Sequence, residues 1–291
     1  MSSASTSNPQ SDRLQQRVAI QGIAGCYHET AAVRYFSDRT VEPVCCSSFE
    51  QLFDELAADR SLTGIVAIEN TIAGSLLTNY ELLRRSNLAI TGEYKLRISH
   101  VLAALPGESL DALKEVNSHP IALMQCEAFL KNHRRLKVVE TADTAESARD
   151  IAEGRLAGHA AICSERAAQI YGLEVLERGI ETNKHNFTRF LIVADRDSAA
   201  TAAEEAVDKA SIEFTLPHTQ GSLSKILTIL SFYDVNLTKI QSMPIIGREW
   251  EYRFYVDVVF DNPVRYRQSI EAIRPLLSDF RPLGEYKAFR E

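Results

Sequence analysis

Residues 17–194 alternate short apolar runs with longer amphipathic ones, a pattern that few arrangements can bury. The short runs, at 18–21, 41–46, 64–68, 88–96, 100–104, 136–139, 159–163 and 190–194, read as strands covered on both faces. Between them, 29–37, 49–58, 75–84, 121–133, 145–153 and 165–171 carry helical spacing. Such alternation predicts an α/β chain with mainly parallel sheets under helices. The stretch 94–105 can lead the chain from one lobe to a second, and the strand at 190 can lead it back. The expectation is a two-lobed domain with its ligand site on the seam.

A second pattern follows an Ala- and Glu-rich segment of linker composition. A strand at 210–216, a helix at 222–233, strands at 236–244 and 249–260, a helix at 264–277 and a strand at 280–287 give the order βαββαβ. That order is the ferredoxin-like split fold, with 245–248 as a hairpin turn. The expected organisation is a disordered tail at 1–16, a two-lobed domain at 17–195, a linker at 196–208 and a further domain at 209–291.

Composition narrows the partners. A net charge of -7 argues against nucleic acid or an anionic membrane surface as the main partner. An anionic substrate would then need local cations or helix N-termini. Five cysteines, with no metal-ligand spacing, fit a reducing compartment where Cys serves as a small hydrophobe. No apolar segment approaches the ~20 residues needed to span a bilayer, and the expected location is cytoplasmic. Neither a dinucleotide fingerprint nor a P-loop is present, and no cofactor or metal is expected.

Three segments carry the chemistry. In Asn186-Phe187-Thr188-Arg189-Phe190 a hydroxyl and a guanidinium sit side by side where an apolar strand begins. Arg can clasp a carboxylate bidentately, and Thr offers one donor. Val66-Ala67-Ile68-Glu69-Asn70-Thr71 runs into Gly74 and Tyr80-Glu81-Leu82-Leu83, while Ser118-His119-Pro120 is followed by Gln125-Cys126. In this order and at these separations the set resembles prephenate dehydratase, over nearly all of residues 17–194. The C-terminal part is similar to the ACT regulatory domain usually fused to that enzyme.

The resemblance implies a two-lobed catalytic domain, like the periplasmic binding proteins, and a reaction in which prephenate loses carbon dioxide and hydroxide together to give phenylpyruvate. It ties catalysis to Thr188, with Glu69 as the rival proton source. Asn70, Thr71, Ser118, Gln125, Thr144, Arg189, Phe190 and Cys26 are the expected substrate-binding positions. All but Cys26 also have a plain structural reading: a turn or cap for Asn70 and Thr71, a cap or surface role for Ser118 and Gln125, a cap for Thr144, a structural salt bridge behind the site for Arg189, core for Phe190. Strand alternation itself objects to the clamp, since neighbours on a strand face opposite ways.

The chain departs from the family in its first loop, where Ile23, Cys26 and His28 replace the usual Pro, Ser and Ser or Thr. The loop amides remain candidates for an anion, and a Cys26–His28 nucleophile is disfavoured by geometry. In the C-terminal part, Gly221, Ser222, Leu223, Asn236 and Leu237 match the segments that bind phenylalanine between paired ACT domains. Gln241 and Met243 stand where the family has Glu and Arg, which leaves feedback by phenylalanine open or differently tuned, with a domain that only pairs as the alternative. A homodimer or homotetramer is expected by analogy. Arogenate as substrate, or a non-catalytic binding or sensing protein, are the alternatives.

Overall fold

The computed structural model describes residues 14–201 and 207–290. Most of the expected N-terminal tail and five residues of the expected linker lie outside the described residues. In chain order the first elements are β1 (Gln15–Gln21), α1 (Tyr27–Tyr35), β2 (Thr40–Cys46), α2 (Phe49–Ala58), β3 (Thr63–Asn70), β4 (Gly74–Ser75), α3 (Leu77–Arg85) and β5 (Leu88–Arg97). Next come β6 (Val101–Ala104), β7 (Glu115–Ser118), α4 (Pro120–Gln125), α5 (Glu127–Asn132), β8 (Lys137–Glu140), α6 (Thr144–Gly154), β9 (His159–Cys163), α7 (Glu165–Ile170), β10 (Glu174–Arg178) and β11 (Phe187–Asp195). After α8 (Arg196–Thr201) follow β12 (Lys209–Thr215), α9 (Ser222–Phe232), β13 (Asn236–Pro244), β14 (Tyr252–Val259), α10 (Pro263–Ile273) and β15 (Asp279–Tyr286).

The chain forms two compact units, one from residues through Leu52 together with Leu96–Thr188, the other from Phe53–Lys95 and Arg189 onward. In the first unit β1 and β2 pair in parallel. A five-stranded sheet runs in the order β10-β6-β9-β7-β8. It is mixed, not mainly parallel: β7 is parallel to β8 and β9, while β6 is antiparallel to β9 and β10. Its core includes Leu102, Val116, Leu123, Cys126, Ala160 and Ile162.

Two expectations in this unit are corrected. The sequence predicts one helix over 121–133, but the chain breaks at Cys126 (φ -100, ψ 19). The neighbouring loop supplies the reason. Thr182 donates its amide to the Gln125 carbonyl at 2.7 Å and accepts the Ala128 amide on Oγ1 at 3.1 Å, replacing helical bonds. The expected tail also ends early, because β1 already starts at Gln15.

In the second unit β3, β11 and β5 lie side by side, with β4 pairing to β3. Here too stands the βαββαβ fold, a sheet in the order β13-β14-β12-β15. Ala210, Ile212 and Phe214 of β12 enter its core with Ile226 and Leu230 of α9 and Tyr266 and Ile270 of α10. The opposite face of β12 carries Lys209, Ser211, Glu213 and Thr215, and every one is buried as well. What covers this polar face is β5, β11 and the turn after α3. Arg281 on β15 donates to the carbonyls of Arg84 and Ser86 (the latter at 2.6 Å). Gly284 is needed because a Cβ there would collide with the Ile90 carbonyl of β5. No helix among the described residues is long and apolar enough to cross a membrane.

Burial pushes the Glu213 carboxyl up to about 7, against the pull of Arg253, whose Nε lies 2.5 Å away, and of Arg84 and Arg281. A raised carboxyl binds its proton more tightly folded than unfolded. Its contribution is therefore complete below the unfolded value and is lost as pH rises through about 7. Melting temperatures of the parent chain should fall between pH ~5 and ~8, and Glu213→Gln should flatten that slope.

Candidate active site

In the first unit, the loop from Gly22 to His28 closes on itself. Gly25 takes φ +90, and a Cβ there would lie 2.6 Å from the Ala167 Cα on α7. Its amide donates to Glu29 Oε2 at 2.5 Å, and Glu29 Oε1 meets Arg166 at 2.5 Å. The Gly22 amide goes to the Cys46 carbonyl and the Cys26 amide to the Ile23 carbonyl. Three of the amides expected to hold an anion, those of Gly22, Gly25 and Cys26, are thus spent on the protein itself.

Cys26 caps α1, its sulfur accepting from the Glu29 amide at 3.5 Å, and it is 3% exposed. Burial pushes its thiol up to about 12 and the His28 imidazole down to about 4. Neither a thiolate nor an imidazolium is favoured, so the pair makes no nucleophile. Cys26 thus serves as the cap of α1.

Ser118 ends β7 and donates to the Ile162 carbonyl at 2.6 Å, fully buried. Gln125 ends α4, with Oε1 2.9 Å from His100 Nε2. His100 Nδ1 in turn lies 2.8 Å from the Tyr27 hydroxyl. The Tyr27 hydroxyl also donates to the Ser99 carbonyl at 2.9 Å, so the His100 ring is held between Tyr27 and Gln125. His100 and Tyr27 are partners that sequence reasoning missed, because His100 stands in an apolar run that reads as plain strand. Thr144 is the first residue of α6, not its cap; Asp143 Oδ1 takes the Ala145 and Glu146 amides at 2.7 and 3.1 Å. Thr188 is the second residue of β11 and is half-buried.

The second unit holds the other expected positions. Asn70 ends β3, and its Oδ1 accepts the amides of Ile72 and Ala73, both at 2.9 Å, which shapes the turn into β4. Glu69 stands beside it, half-buried, its Oε1 2.9 Å from Lys239 Nζ. Thr71 is exposed. Phe190 is 1% exposed and belongs to the core.

Arg189 is the clearest correction. Its guanidinium, 8% exposed, donates to Glu93 at 2.7 Å, to Asp257 and to the Tyr286 hydroxyl at 3.1 Å. Lys209 donates to both Glu93 oxygens at 2.8 Å. Burial alone would raise the Glu93 carboxyl, but Arg189 and Lys209 outweigh it and hold it below the ordinary range. The guanidinium expected to grip a substrate carboxylate is occupied by two carboxylates of the chain itself.

Residues 18–198 match the family model described as prephenate dehydratase. The chain belongs to the prephenate dehydratase family. An arogenate dehydratase/prephenate dehydratase of Arabidopsis thaliana is 37% identical over 286 residues, which cover 93% of this chain and 72% of that one. Among solved structures, a prephenate dehydratase from Arthrobacter aurescens in complex with L-Phe is 26% identical, with a TM-score of 0.79, covering 93% of this chain and 89% of that one. Another, described as a novel type of quorum-quenching acylase, is 28% identical with a TM-score of 0.83, covering 94% and 98%.

The C-terminal segments of this prephenate dehydratase family member have simple local causes. Gly221 takes φ +76 at the start of α9, and Ser222 donates to the carbonyls of Pro217 and Thr219. Leu223 and Leu237 pack partly buried against the βαββαβ core, and Asn236 opens β13 exposed.

Arg189→Met should cost about 3 kcal/mol in urea unfolding, because it takes the paired cation from buried Asp257 and leaves Glu93 with Lys209 alone. Arg189→Lys should recover less than half of that loss, since an ammonium cannot reproduce the fork.

Proposed function

We propose that the chain is a lyase that converts prephenate to phenylpyruvate in phenylalanine synthesis, acting in the cytoplasm. The observation that carries this reading is the family match over residues 18–198, with Asn186–Phe190 intact inside it. In the step, the ring carboxylate departs as carbon dioxide and its bonding pair enters the ring. The hydroxyl on the far ring carbon leaves as water after gaining one proton. Aromatisation drives both cleavages, so the protein has to hold a dianion, align it and supply a proton.

Thr188 is assigned to that proton. A hydroxyl is a weak acid, so it acts as a strong hydrogen-bond donor to the departing oxygen or as a relay. Glu69 is the alternative source. Asn70, Thr71, Ser118, Gln125 and Thr144 are assigned to binding. Residues 17–195 form the catalytic domain and 209–291 an ACT domain that takes L-phenylalanine at Gly221–Leu223 and Asn236–Leu237 and pairs as a homodimer or homotetramer. The solved relative in complex with L-Phe and the ferredoxin-like order support that assignment.

Arogenate is the second reading, favoured by the Arabidopsis thaliana relative, whose name carries both activities. It keeps the chemistry and yields phenylalanine directly. A comparison of kcat/KM for the two acids decides between them. Binding of prephenate with no phenylpyruvate above background would favour a sensor instead.

Thr188→Ala should lower kcat by ~10²-fold with the melting temperature unchanged; an unaltered kcat would remove the residue from the mechanism. Phenylalanine at micromolar concentration should inhibit weakly, because Gln241 and Met243 replace the family's charged pair. An ultraviolet assay of product formation with and without phenylalanine measures this.

A further inference from the structure

Lys239 of β13 and Asp257 of β14 are register partners, facing one another across the C-terminal sheet. Each reaches a different expected catalytic segment. Lys239 Nζ lies 2.9 Å from Glu69 Oε1, 2.9 Å from Ser75 Oγ and 5.8 Å from the centre of the Tyr80 ring. About a tenth of its side chain meets solvent, against 38% for Glu69. Asp257 accepts from Arg189, the residue after Thr188, and from Ser211. One rung of the sheet thus holds the end of β3 and the start of β11.

We propose that Lys239 and Asp257 are positioning residues for the reaction: Lys239 fixes the Glu69 carboxylate, and Asp257, through Arg189, fixes the strand end that bears Thr188. The C-terminal sheet is then a working part of the catalytic machinery as well as an effector module. A carboxylate at a strand end has several rotamers, and the ammonium removes that freedom before substrate arrives. Burying an ammonium needs compensation, which Glu69, Ser75 and the face of Tyr80 supply. Placement matters at this scale, since a misplacement of about 1 Å can cost 10²-fold in rate.

The inference rests on the reading that Glu69 and Thr188 serve turnover of prephenate or arogenate, and one set of full-length proteins separates the two. If the parent chain turns over neither acid, the proposed function falls, and the positioning role with it. Given turnover, Lys239→Met should lower kcat ~10-fold with KM within ~2-fold, and Lys239→Arg should restore most of the loss. In a Glu69→Gln background, Lys239→Met should add less than ~2-fold, because the group it positions has gone. A kcat within ~2-fold of the parent overturns the proposal, as does a loss that multiplies with Glu69→Gln, the sign of a purely structural role. Should Lys239→Met unfold, Asp257→Asn carries the test: an ~10-fold fall in kcat with KM held supports the role, and an unchanged kcat overturns it.

Discussion

A neutral cluster of four buried charges fixes the second unit. Arg189 and Lys209 face Glu93 and Asp257, and Ser211 and Tyr286 close the remaining hydrogen bonds. The members come from five strands, β5, β11, β12, β14 and β15. Removing such charges from water costs several kcal/mol each, and their attraction returns about as much only when the geometry is right. A cluster of this kind adds little net stability. Its value is discrimination, because any other register of the C-terminal sheet on β5 and β11 would bury an uncompensated charge.

This cluster explains why the fold was more legible than the packing. The strands at 159–163 and 236–244 and the helix at 49–58 agree with the structure to the residue, since apolar period and caps act locally. Strand β7 went unread because Glu115-Val116-Asn117-Ser118 has one apolar side chain, and β10 because Glu174–Arg178 is largely charged. In β12, Lys209-Ala210-Ser211-Ile212-Glu213-Phe214-Thr215 alternates as a strand with one wet face would. Both faces are buried, and the partners that make this tolerable lie as much as 116 residues away in sequence, as with Lys209 and Glu93. No local pattern encodes a partner at that distance.

The candidate site divides along the same line. The segments that carry the resemblance were legible as ordered motifs, and the residues inside them were not equally legible as roles. Cys26 caps a helix, Asp143 caps the helix expected of Thr144, Asn70 shapes a turn and Phe190 fills core. His100 emerged only through its ring contacts with Gln125 and Tyr27. A hydrogen-bond network of this sort leaves no spacing in the sequence, since its members stand at residues 27, 100 and 125.

Thr188 and Arg189 are adjacent on β11 and differ in their surroundings. Successive side chains on a strand point to opposite faces, so two adjacent polar residues cannot both serve one ligand without a bend. The chain spends Arg189 on Glu93 and Asp257, which commits that face of β11 to the C-terminal sheet and the other face to Thr188. The pair read from sequence as a hydroxyl and a carboxylate clamp is better understood as a hydroxyl and the anchor that sets its register.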